Sequence, residues 1–549
     1  MHSGTSLRLI CTLALPLVAL LLPHTALASA SDDFAACDGF TKPGGSVDGM
    51  GSQSRLPTAQ EFGAPLLADM TACNDALVSP KLLPQQNLRR VHLLRARAGA
   101  YLRNGDLAAA FADLDRAEAA AGQLKDDPLF ERSLGTSLRL LRALALDRSG
   151  QSDQAVAMVE DAANLRPWSI EIQQVLSYLL LHRPGAAATG TMLFGRHRQL
   201  DPQFDQYAAR AFAAEGNFTA LARLASPLSP IPADSAAQAH GKAVGALLLG
   251  DVDRAIVHAY AQAAIDNHEA ARRELDLVDA WLERGKSGTT GDAGSATEPT
   301  VIKELLNKFI ANAELSAKRV RARLALDEHR MTDAEALVHG ATFASDAISA
   351  DLNLKLAAAG LAPAAVGWPE WHSTDEDMQT AQRQALFHEA VRDALLEPET
   401  PHTNGIYKRS KPNVGAALVG AALSMGTSLL SRTPKTDGFV DTLRPDGSIQ
   451  ISLHGDTIAQ AAIREATLLH AAAATLAAGK SAFVVAERTD YYRMLETRQY
   501  GQVISITPAG YQTDIVVRQL APGKDDPRSI DAKAVIAALG PTYDPDTPR

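Results

Sequence analysis

The sequence predicts a mostly α-helical protein, an array of helical hairpins followed by a small α+β domain, and three observations lead there. Alanine is abundant while aromatic residues make up only 5 % of the 549 residues, which favours closely packed helices over a β-rich fold. A glycine-centred hairpin pattern recurs through the first two-thirds of the chain. From residue 437 onward the apolar pattern shifts toward a period of two, the mark of strands.

The first thirty residues, "MHSGTSLRLICTLALPLVALLLPHTALASA", combine Arg8, an apolar stretch from Leu9 to Leu22 and small residues at Ala26, Ala28 and Ala30. This layout predicts a secretory signal peptide over 1–30, cleaved near Ala28 or Ala30, and therefore an exported, periplasmic or cell-envelope protein. The stretch is short of the roughly 20 apolar residues of a spanning helix, which argues against a retained anchor. Residues 31–80 are loop-rich and contain Cys37 and Cys73, the two cysteines left after cleavage. In an oxidising compartment these predict one disulfide across a 36-residue interval. Such a crosslink contributes about 2–4 kcal/mol, mainly by restricting the unfolded chain. A redox thiol lacks a CxxC or neighbouring histidine, and a lipidated Cys37 would have to follow the apolar stretch directly.

The hairpin array is assigned to 81–360. In "YLRNGDLAAAFADLDRA", Tyr101, Gly105, Ala110 and Ala117 follow a fixed spacing, with Ala98 one turn earlier. The alanines keep two helices close, and the glycine turns the chain. A second copy, "LLRALALDRSGQSDQAVAMVEDAANLRPWS", places Ala143, Gly150, Ala155, Ala162 and the closing Pro167 at the same positions. Further copies centre on Gly216 and Gly250, 34 residues apart, and a degenerate one spans Arg321 to Val338. This spacing resembles the tetratricopeptide repeat, whose unit is 34 residues and whose hairpins stack into a solenoid. The insertion "GQLKDDP" separates the first two copies, and "RGKSGTTGDAGSATEPT", 284–300, has the composition of a flexible loop.

Residues 361–436 are assigned to a weakly ordered junction carrying one helix, "AQRQALFHEAVRDALL". Its uncharged stretch 412–431 is long enough to span a bilayer, but its Gly, Ala and Ser content drives insertion weakly. The reading taken is an apolar helix or linker packed on its own protein, with membrane contact as the alternative. Residues 437–541 predict the order ββαβββα: a hairpin turning at "RPDGS", a helix stopped by Gly479, the short strand "SAFVVAER", a hairpin turning at "PAG" and a final helix from Asp531, with a tail over 542–549. The signature "REATLLHAAAATLAAGKSAFVVAERTD" and the ending "DAKAVIAALGP" resemble the domain of small, uncharacterised bacterial envelope lipoproteins. The resemblance implies an envelope location and no catalytic residues. This chain departs from that family in lacking an acylated cysteine before the domain.

Catalytic and cofactor motifs are thin. "AWLERGKSG" and "AATLAAGKSA" lack the first glycine of a phosphate loop and follow helices rather than strands. No HExxH or Cys/His cluster suggests a metal, and Ser424 lacks the glycine and the strand-to-helix elbow of a nucleophile. Asp113 and Asp115 read as solvated. No catalytic residue, cofactor or metal is expected, and a net charge of -10 argues against nucleic acid. The expected function is a non-enzymatic scaffold that binds a protein or peptide partner through the concave face of its repeats. Arg95, Arg97, Arg103, Arg139 and Arg142, on the first helices of two hairpins, are the candidate contacts. A structural envelope component without a groove ligand, and an unrecognised hydrolase, are the alternatives.

Overall fold

The computed structural model describes residues 30–53, 60–61, 64–65, 68–181, 195–287, 300–367, 376–401 and 438–544, apart from positions within 215–235, 249, 456–458, 500–501 and 522–527. The expected signal peptide up to residue 29, residues 288–299 of the expected loop, the uncharged stretch 412–431 and residues 545–549 lie outside the described residues.

Two short helices, α1 (Ala30–Asp38) and α2 (Met70–Val78), open the described chain and are joined by the Cys37–Cys73 disulfide. Between them, β1 (Gln60–Glu61) pairs with β2 (Ala64–Pro65). The expected loop-rich segment is thus partly helical: Phe34, Cys37, Cys73 and Ala76 pack on Leu93 and Ala96 of the next helix.

The hairpins follow. Helices α3 (Asn87–Arg103) and α4 (Leu107–Ala121) form the first, and α6 (Thr136–Arg148) and α7 (Ser152–Leu165) the second. Ala98, Ala110, Ala117, Ala143, Ala155 and Ala162 are all buried, so each helix pair meets along its small residues. Gly105 and Gly150 turn the chain at φ +80° and +85°, and a Cβ at either would meet nothing within 4 Å. Backbone conformation, not space, therefore demands glycine there. The insertion between the hairpins forms a 3₁₀ turn, the short helix α5 (Pro128–Phe130) and one π turn over Glu131–Gly135 that runs into α6.

Next come α8 (Ile170–Leu181), α9 (Gly195–Leu200), α10 (Phe204–Ala214), α11 (Phe218–Leu221), α12 (Ala236–Leu248), α13 (Asp251–Ala264), α14 (His268–Ser287), α15 (Thr300–Asp327) and α16 (Met331–Val338). Gly216 and Gly250 again lie at positive φ. The segment expected to be a degenerate repeat is a hairpin of α15 and α16 whose turn residue is His329, at φ +58°, where the other hairpins carry glycine. The phosphate-loop lookalike at Gly285 to Ser287 is the last turn of α14. Strands β3 (Thr342–Ala344) and β4 (Ala365–Gly367) pair in parallel around α17 (Ala347–Ala358).

Two expectations are corrected. Helix α18 (Glu376–Ala394) belongs to the array core rather than to a weakly ordered junction. It packs on α3, α6 and α8 through Phe387, Ala390, Val391 and Ala394. The C-terminal domain has the expected order ββαβββα, but its last three strands fall at other residues. Strands β5 (Gly438–Leu443) and β6 (Ile449–Gly455) turn at Gly447, and α19 (Gln460–Ala477) ends at Gly479. Then β7 (Ala482–Gln499) and β8 (Gln502–Leu520) form a single long hairpin, followed by β9 (Ile530–Asp531) and α20 (Ala532–Tyr543). The antiparallel sheet has the order β5-β6-β8-β7-β9. "PAG" is not a turn. Pairing runs through it with a register shift between Tyr492 and Met494, so a bulge absorbs residues that usually break a strand.

Candidate functional site

The five candidate arginines do not form one exposed face. Arg95 is only 2 % exposed and points into the protein, where its guanidinium meets the Leu396 carbonyl and lies 2.9 Å from His92 Nε2. Arg103 is also buried, and burial lowers its pKa to about 10. Arg97 grips Asp113 with two bonds of 2.6 and 2.8 Å and donates to Asn74. Asp113 is therefore a buried ion-pair partner rather than a solvated carboxylate. Arg139 pairs with Glu131, and Arg142 bridges Asp115 at 2.7 Å and Glu118 at 2.9 Å. Acidic side chains nearby in the fold neutralise Arg97, Arg139 and Arg142, whereas Arg95 is turned inward onto the Leu396 carbonyl and His92.

Charge instead collects at the seam between the array and the sheet domain. Arg132, in the π turn, donates to Glu399 Oε2 at 2.8 Å and to the Tyr543 hydroxyl at 2.9 Å, and pairs with Glu465. Arg166 donates to Glu465 at 2.7 and 3.0 Å, pairs with Glu399 at 2.7 Å and holds the Arg132 carbonyl at 2.6 Å. Both glutamates are fully buried. Burial opposes the charge on Arg166, yet the two carboxylates outweigh it and hold its pKa well above the ordinary arginine value. Burial, followed by the same carboxylates, pushes the Tyr543 phenol well above its usual range.

A strap that follows α18, "ALLEPE" at 394–399, threads this seam. Ser137 Oγ donates to the Ala394 carbonyl at 2.5 Å, and Arg95 meets the Leu396 carbonyl. Glu397 accepts from the Tyr511 hydroxyl, from Gln53 at 2.9 Å and from the Gln460 amide at 3.1 Å. Glu399 completes the arginine pair. Behind Arg95, His92 Nδ1 lies 2.8 Å from Asp38, which also binds Arg89 at 2.9 Å. Arginine can only donate, so His92 Nε2 is the acceptor and the ring is neutral with its proton on Nδ1. Burial, then the charge of Arg95, lowers its pKa to about 4.

Beside the strap lies a polar cavity of about 150 Å³, walled by α8, α18, α19 and the β7–β8 hairpin. Arg464 spans it, donating to Glu171 at 2.8 Å and approaching Asp490 at 3.3 Å. Asp393 is held by burial at about 6 despite Arg392 and Arg464, and burial also raises Glu397. This cavity is the best-formed chemical environment of the seam.

A second cluster, Asp266, His268 and Asp327, brings three ligand atoms within 4.8 Å of one another. Arg323 at 3.0 Å and Lys355 at 3.8 Å already neutralise Asp327, which disfavours a cation there.

Sequence reasoning missed Arg132, Arg166, Glu397, Glu399 and Glu465. Two signals were present. Arg166 directly precedes Pro167, a context that biases it away from the helix, and its backbone at φ -135° and ψ 67° has indeed left the helical region. Arg132 lies just after "GQLKDDP", in the segment between the first two hairpins. The glutamates of "EPE" carry no local signal. Compared with family models, with characterised proteins and with solved structures, the chain matches none.

Proposed function

We propose that the chain is an exported, non-enzymatic protein of the cell envelope that serves as a protein–protein interaction scaffold. Its hairpins are read as a tetratricopeptide-like array, and its last domain as a relative of the small envelope lipoproteins. The supporting observation is the seam: Arg132, Arg166, Glu399 and Glu465 are committed to holding array and sheet domain in one arrangement. Burying an ion cluster seldom adds net stability over an apolar contact, and its role is read as fixing the geometry that a platform for a partner requires. The partner surface is then not an arginine-lined groove around Arg95 and Arg103. Among the five arginines, Arg139 and Arg142 keep the most exposed side chains, at 28 % and 21 %.

Photo-crosslinking residues placed at 139 and 142 of the full chain, in cells that export it, test this reading. Discrete adducts with the same protein at both positions support it. Retention of the chain in the cytoplasm, or turnover of peptidoglycan, phosphate-ester or peptide substrates by the purified protein, refutes it.

A further inference from the structure

The seam cavity has a lining that its own side chains leave incomplete. Among the described residues, two buried atoms of the lining have no hydrogen-bond partner: the acceptor Gln174 Oε1 on α8 and the donor Arg464 Nε on α19. A buried polar atom left unpaired costs about 1–3 kcal/mol, so the site favours a guest that supplies both a donor and an acceptor. The lining also carries three carboxyl groups, Glu171, Asp393 and Glu397, against the two guanidinium groups of Arg392 and Arg464. Arg464 is engaged by Glu171 and Asp490, and Arg392 reaches Asp393 only at 3.3 Å. The hydrogen bonds to Glu397 come from neutral donors, Tyr511, Gln53 and the Gln460 amide, and Arg95, outside the lining, acts on it only through space. The missing component is therefore positive charge with N–H donors at the carboxyl side and one acceptor at Arg464.

We propose that this cavity binds a small primary amine that also carries a hydroxyl or carboxylate, a molecule of the size of a small amino acid or amino alcohol. The ammonium would lie among Asp393, Glu397 and Gln174 Oε1, and the acceptor group at Arg464 Nε. A volume of about 150 Å³ suits this size, since an apolar cavity of that volume accommodates benzene. A simple anion would add to the carboxyl excess, and a bare metal ion would meet two arginines. The binding stands on different residues from any partner surface on the hairpins.

Asp393 makes the site pH-sensitive. The charged and titratable groups around it are Arg392 on its own helix, Arg464 on α19, Glu171 on α8, Glu397 in the strap, and Tyr492 and Tyr511 on the hairpin. Burial keeps Asp393 protonated up to about pH 6, and an ammonium binds its ionised form.

Calorimetric titration of the full mature protein with ethanolamine, glycine, methylamine, acetate and calcium chloride tests the proposal. Ethanolamine or glycine should bind saturably, more tightly than methylamine, while acetate and calcium should not bind at the cavity. Affinity should fall about tenfold between pH 7 and pH 5. Asp393→Asn should weaken binding at least tenfold and remove that pH dependence, while Gln174→Ala should weaken it and leave the pH dependence in place. Thermal unfolding of both variants checks that the fold is kept. Absence of saturable amine binding, equal affinity in Asp393→Asn, or acetate or calcium binding in place of the amines overturns the proposal. None of these results bears on the crosslinks at 139 and 142.

Discussion

The first hairpin and the seam solve the same packing problem with opposite chemistry. Between α3 and α4 the contact is made by Ala98, Ala110 and Ala117, with Leu94 and Leu114 filling the spaces beside them. Between array and sheet domain it is made by Arg132, Arg166, Glu399, Glu465 and Tyr543, with apolar residues around them: Ala461 of α19 joins the array core, and Trp168 and Ile170 join the core of the sheet domain. Small apolar residues let helices approach at many similar registers, whereas a buried ion cluster satisfies its groups in one. The hairpin contact therefore tolerates variation in a way that the seam does not.

The sharpest way to break that contrast is Arg166→Ala. It leaves Glu399 and Glu465 buried without their main partner, and stability to urea should fall by about 3–5 kcal/mol. The α6–α7 pair, held by alanines, should keep its amide-exchange protection relative to the seam. A loss shared evenly by both regions would show that the seam is not the more selective contact.

Asp393→Asn is expected to act with the opposite sign. The native carboxyl titrates at about 6, above its ordinary value, so folding favours the protonated form. Both states are protonated at low pH, and the penalty develops as pH rises through the ordinary carboxylate range toward 6 and is complete above it. The variant should match the parent near pH 3 and be more stable at pH 8, by on the order of 3 kcal/mol. A less stable variant at pH 8 would mean that Arg392 and Arg464 hold the ionised form.

Ala117→Leu probes the other region. It adds bulk where Ala117 is fully buried against the facing helix, and overpacking of this kind should cost about 2 kcal/mol, read from the urea midpoint. Gly150→Ala is the mildest change. With φ at +85° and open space around the added methyl, backbone strain alone should lower stability by about 1 kcal/mol, and Gly150→Asn should recover part of it. An unchanged melting temperature in Gly150→Ala would show that the turn relaxes.

What was legible in the sequence is what neighbouring residues encode together. The alanine spacing at 98, 110 and 117, the glycine turns at 105 and 150 and the cysteine pair all correspond to contacts within a helix pair or across one closed loop. The hairpin at 444–448 and the stop at Gly479 were legible for the same reason. The β7–β8 hairpin was misread because Pro508 and Gly510 signal a turn locally, while pairing along both flanks overrides them.

The sequence by itself determined a helical-hairpin protein with a small sheet domain, because periodicity and turn chemistry act over a few residues. Only the tertiary structure decided which charges matter. Arg95 became an internal brace rather than a contact surface, and Glu399 and Glu465, 66 positions apart, became partners of Arg132 and Arg166. An ion's role depends on how far water is excluded around it and on which opposite charge the fold brings within reach. Both are properties of distant segments, and no local pattern records them.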